Sequence, residues 1–121
     1  MGSIPVGTAM NIIRDGLILS NTMDYAKIEK WKKVLDDKLV DILKNANIND
    51  FDTIKYFNEF PSSVCWAKDY LFKLFEMGFP YPTYIGPTNY GDIYCEWGEN
   101  VSCEVSNRDI LWDIREKRYY E

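Results

Sequence analysis

The side chains best suited to chemistry in this sequence are carboxylates gathered near its end: Asp92, Glu96, Glu99, Glu104, Asp109 and Asp113, with Arg108 the one base between positions 92 and 113. Six acids against one base give that window a net charge of −5, equal to the excess of the whole 121-residue chain, whereas residues 1–50 balance seven acids with seven bases. Paired carboxylates perform acid–base or glycosidase chemistry only in a cleft that separates their pKa values. Here Glu96, Glu104 and Asp113 alternate with apolar residues, which sends them to the solvent face of a sheet. Close carboxylates on such a face repel until a basic partner neutralises them. The face is either a docking surface for a basic groove, one that otherwise holds nucleic acid, or an ordinary solvated strand face.

Histidine is absent. That removes Ser-His-Asp and Cys-His nucleophiles, histidine-ligated zinc and iron, and the usual proton shuttle near neutral pH. There is no P-loop and no G-x-G-x-x-G, and Gly91-Asp92 and Gly98-Glu99 read as hairpin turns. The excess of acid argues against direct binding of nucleic acid, whose affinity comes largely from counterion release by basic groups. No catalytic residue, cofactor or metal is implied. Cys65, Cys95 and Cys103 are an odd count without C-x-x-C spacing, which fits free thiols in a reducing cytoplasm.

A second cluster lies upstream. Between Ser62 or Ser63 and Met77, Val64, Ala67, Leu71, Leu74 and Phe75 form one helical stripe, and Trp66, Tyr70 and Met77 form another. Either the second stripe binds a partner protein or a second copy of the chain, as a homodimer, or both stripes are core, the first long helix packing on one and the sheet on the other.

The elements that position these residues follow from periodicity. Residues 4–21 suit a short helix or an arm on the core. From Asp24 to Asn45, Ile28, Trp31, Leu35, Leu39 and Ile42 recur at three and four residues, an amphipathic helix. Asn47 to Phe60 reads as a short helix ended by Pro61, and the third helix closes at Gly78. After Pro82 the period becomes two: 93–97, 101–105 and 110–114 are half-buried strands, and Thr83 to Gly86 adds one in front. The expected class is α+β, with N-terminal helices (about 24–77) packed on a C-terminal antiparallel meander of three to four strands (about 82–115) in a single domain, 1–121. Parity carries the register further. Apolar positions are odd on both 93–97 and 101–105, so a three-residue loop Gly98-Glu99-Asn100 puts Trp97 opposite Val101 and Cys95 opposite Cys103. Trp97 and Trp112 belong to the core.

No apolar run approaches the roughly 20 residues of a membrane-spanning helix. The first residues lack a secretory signal and Met1-Gly2-Ser3 reads as a cloning scar, so the expectation is a cytoplasmic protein.

The passage Pro-Thr-Tyr-Ile-Gly-Pro-Thr-Asn-Tyr-Gly-Asp-Ile-Tyr-Cys-Glu-Trp at 82–97, followed by Cys103-Glu104-Val105, resembles a group of small uncharacterised bacterial proteins. In these a helix leads into a proline-flanked strand, a glycine turn, a strand ending Glu-Trp, and a strand with an acid between apolar residues. The likeness covers about residues 60–106. Such proteins tend to be encoded on mobile or defence-related loci, so the resemblance implies an antitoxin, immunity or anti-defence role, with no binding residue carried over. The resulting expectation is a non-enzymatic acidic protein of bacterial or phage origin that inhibits a protein partner by stoichiometric binding, as an anti-CRISPR or an antitoxin would. The partner would be a basic nucleic-acid-binding effector or a toxin. The alternatives are a small enzyme using carboxylates or Cys65, and a structural or assembly subunit.

Overall fold

A run such as Ile28, Leu35, Leu39 buries one side of a helix and leaves its lysines and aspartates in water, and the computed structural model, which describes residues 4–18, 20 and 24–121, shows that helix. Met1-Gly2-Ser3, and Leu19 of the Leu17-Ile18-Leu19 cluster, lie outside the described residues. The N-terminal segment forms helix α1, Gly7–Arg14, with Ala9 and Ile12 buried. Helix α2 spans Tyr25–Asn45, its N-cap Asp24 accepting from the Lys27 amide at 3.3 Å.

The two helices expected on either side of Pro61 are one. Asn47 caps only a single 3-10 turn, Ile48–Asp50. Helix α3 then runs from Ile54 to Glu76 with Thr53 as N-cap and Pro61 inside. An interior proline removes one ladder bond and costs about 3 kcal/mol. Phe60, Val64, Ala67, Tyr70, Leu71, Leu74 and Phe75 are all buried along the same helix, and each large side chain contributes about 1.5–3 kcal/mol on burial. That face outweighs the proline. Gly78 closes the helix as expected, at φ 104°, and Phe79 N donates to Leu74 O at 2.9 Å.

The sheet is an antiparallel meander, β1-β2-β3-β4-β5: Tyr84–Pro87, Ile93–Trp97, Val101–Val105, Ile110–Ile114 and Lys117–Tyr120. The parity argument is borne out: Trp97 pairs with Val101 and Cys95 with Cys103. The fifth strand is the addition. It follows a two-residue turn in which both Arg115 (φ 48°) and Glu116 (φ 71°) are left-handed, a geometry that normally signals itself through Asn-Gly or Asp-Gly.

Helix α3 packs on β2 and β3 on one side and on α2 on the other. Trp31 meets Phe75 at 5.7 Å between ring centroids, and Lys32 reaches Glu76 at 3.0 Å and Lys68 reaches Asp36 at 2.9 Å across the two helices. Between α3 and the sheet lie Phe79, Trp97 and Trp112, with ring centroids 5.5–5.8 Å apart. Both tryptophans are buried, and Trp97 Nε1 donates to Pro80 O at 2.8 Å. Among the described residues no helix is long and apolar enough to cross a membrane.

Candidate interaction surface

Strand alternation divides the sheet into a face under α3 and an outer face. The outer face is ordered by register into two rows. One row reads Tyr84, Glu96, Ser102, Asp113, Arg118 across the five strands, and the other reads Gly86, Tyr94, Glu104, Leu111, Tyr120. Gly86 apart, no residue in either row is buried, and Tyr84 and Tyr120 are exposed. Gly86 leaves room for the Tyr84 ring, which lies across it; a Cβ there would push that exposed ring aside.

The carboxylates expected on this face are there, in unequal settings. Glu96 accepts from the Tyr94 hydroxyl at 2.6 Å. Burial and the Glu96 carboxylate together raise the Tyr94 phenol above its ordinary pKa. Glu104 lies between Tyr94 and Leu111 in its row. Asp113 faces Arg118, whose Nε stands 3.8 Å away, so part of its charge is offset. Asp92 sits at the edge of the surface, half-buried. Desolvation, with Glu104, Asp109 and Glu59 nearby, pushes its carboxyl up from 3.8 to about 6. Arg108 binds Glu59 at 2.8 Å and brings the one base of the 92–113 window to that corner. Glu99 is exposed in the β2–β3 turn, on the rim of an open hollow of about 510 Å³ shared with Asp113, Arg115 and Glu116.

The fifth strand redistributes the charge. Residues 114–121 carry Arg115, Lys117 and Arg118 against Glu116 and Glu121, so the sheet end has a net charge of −4 rather than −5. The negative centre is on β2 and β3, around Glu96, Glu104 and Asp92, and the β5 edge is basic. The tyrosines beside the acids were missed. Tyr94 shows the same alternation as Glu96, so its position was readable; Tyr120 depended on a strand with no alternating pattern.

The proposed aromatic stripe of α3 does not form a surface. Tyr70 is fully buried: it lies three residues after Ala67 and four before Leu74, inside the core face rather than beside it. Its hydroxyl accepts from Trp112 Nε1 at 2.9 Å and donates to the Glu121 carboxylate, which also accepts from the Thr8 amide in the first turn of α1. Burial and the Glu121 carboxylate drive the Tyr70 phenol far above its ordinary pKa, so it is a permanent donor. Met77 is half-buried against the core, and Trp66 remains 39% exposed at the boundary. Tyr70 is therefore not at the surface, and of the three stripe residues Trp66 alone is exposed.

Cys95 and Cys103 are buried opposite each other, and desolvation raises both thiols well above the ordinary range, which makes them poor nucleophiles. Cys65 is exposed. Among the described residues no three His, Cys, Asp or Glu side chains gather as a metal site. No family model matches the chain, and no curated protein or solved structure matches it.

Proposed function

We propose that this is a non-enzymatic interaction protein, of bacterial or phage origin, whose outer sheet face docks on a basic protein surface and neutralises that partner by stoichiometric binding. An effector that uses its basic groove to hold nucleic acid, or a toxin, has the required chemistry, and the chain would act as an anti-CRISPR or an antitoxin does. The observation that carries this reading is the mixture on one face: Glu96 and Glu104 stand among Tyr84, Tyr94, Leu111 and Tyr120, and none of these is buried. A solvated strand face has no use for three tyrosines, whereas tyrosine is enriched at interface cores and carboxylates guide a basic partner. Tyrosine faces also attract Lys and Arg through their ring quadrupoles.

The test is affinity capture from the source cell by the full chain, beside a Glu96→Gln/Glu104→Gln variant, followed by association kinetics on the dominant partner at low and high salt. The double variant should fold normally, associate several-fold more slowly at low salt and lose most of its salt dependence. An unchanged on-rate would reduce the outer face to a solvated surface.

A further inference from the structure

On the other side of the molecule, the C-terminal end of α2, the 3-10 turn and the end of β1 enclose a hollow of about 310 Å³. Its floor is apolar: buried Phe51 with the half-buried Ile42 and Ala46, and Pro87 beside them. Its rim carries Asp41 and Asp50 and no basic side chain; Lys44, the base in the last turn of α2, does not line it. The two rim asparagines are already committed as donors. Asn45 Nδ2 donates to Asp41 at 3.3 Å and Asn89 Nδ2 donates to Asp52 at 3.0 Å, which leaves their carbonyl oxygens as acceptors. Thr88 supplies the remaining polar side chain of the lining. The last carbonyls of α2, the negative end of its dipole, add to the same potential.

An apolar floor beneath an acceptor-rich, negatively charged rim suits a group with a hydrocarbon stem and a donor-rich cationic head. A volume near the lower end of the range for ligand pockets suits one long side chain rather than a nucleotide or a drug-sized molecule. We infer that this hollow is a socket for an arginine side chain presented by a partner protein. The guanidinium has five donors in a plane for a rim that offers the Asp41 and Asp50 carboxylates and the asparagine carbonyls, and its methylenes match the apolar Ile42 and Phe51. Lysine offers three donors at a point and fits the divided rim less well. The hollow lies on the helix side of β1, away from Tyr94 and Glu104, so the inference stands independently of what the outer face binds.

The experiment is an amide chemical-shift titration of the full chain with N-acetylarginine methylamide, beside its neutral citrulline and its lysine counterparts. The arginine probe should shift the amides of Ile42, Ala46 and Asn89 with a Kd on the order of a millimolar, as expected for so few atoms. The citrulline probe should leave them unmoved, and the lysine probe should bind several-fold more weakly. Asp41→Asn should weaken arginine binding about threefold or more. Asp50 also caps the 3-10 turn, so Ala46→Leu, which narrows the hollow with both carboxylates kept, is the second variant and should weaken binding several-fold. Equal shifts with citrulline, undiminished binding to Ala46→Leu, or shifts confined to Tyr94 and Glu104 would overturn the socket.

Discussion

Removing one oxygen atom from the core should show how the first helix, the third helix and the end of the sheet are held together. In Tyr70→Phe the lost hydroxyl is fully buried, donates to the Glu121 carboxylate and accepts from Trp112 Nε1 at 2.9 Å. The substitution orphans nothing, because Trp112 Nε1 retains Glu121 Oε2 at 3.2 Å and the carboxylate retains the Thr8 amide. The cost is then one charge-assisted hydrogen bond, about 1.5–2 kcal/mol. Glu121→Ala should cost more, about 3 kcal/mol, because it leaves the Tyr70 hydroxyl buried without an acceptor and frees one of the unpaired amides at the start of α1. Both variants remove the same Tyr70–Glu121 bond, so the double variant should fall short of the sum by about 1–2 kcal/mol. Urea titrations followed by tryptophan fluorescence measure all three, with Trp112 inside the network as a reporter. A loss below about 0.3 kcal/mol for Tyr70→Phe, or strict additivity in the double variant, would refute the network as a source of stability.

The β1–β2 turn presses on the start of α3, where a Cβ on Gly91 (φ 78°) would stand 3.1 Å from the Tyr56 carbonyl carbon and closer to its oxygen; Gly91→Ala should therefore cost at least about 2 kcal/mol in a denaturant titration, and a loss under about 0.5 would show that the turn can move away. Asp92 gives a pH prediction. Its carboxyl is raised from 3.8 to about 6 in the folded protein, so the ionised form opposes folding above pH 6, and stability gained from this group grows as pH falls from 6 towards 4. Asp92→Asn should stabilise by roughly 1 kcal/mol at pH 7, after screening at a half-exposed site, and by almost nothing at pH 4; a difference that stays constant between those pH values would remove Asp92 from this role.

What could be read from the sequence, and what could not, divides along a physical line. Strand parity is a rule without adjustable parts: once Ile93, Cys95 and Trp97 share a face with Val101, Cys103 and Val105, the loop Gly98-Glu99-Asn100 and the Cys95–Cys103 pairing follow, and the structure has both. A helical face is a wider arc, and its margin is set by what packs against it. Tyr70, three residues after Ala67 and four before Leu74, falls inside that arc, and its polar end is satisfied by Trp112 and Glu121, which are 42 and 51 residues away in sequence. Pro61 misled for a related reason, because a local penalty of about 3 kcal/mol speaks in the sequence while the burial that outweighs it is tertiary. The fifth strand was silent twice over: Lys117–Tyr120 is exposed throughout and shows no alternation, and its turn uses Arg115 and Glu116 where glycine or asparagine would have announced left-handed backbone. That omission bears on the proposed docking face. The acidic face was legible because Glu96 and Glu104 alternate with core residues, but its limits were not, since only β5 brings Arg118 against Asp113 and Tyr120 against Leu111. A partner steered by charge alone would meet a surface whose negative potential fades from β2 towards β5, so its basic groups should engage Glu96 and Glu104 first, with the tyrosines excluding water around them.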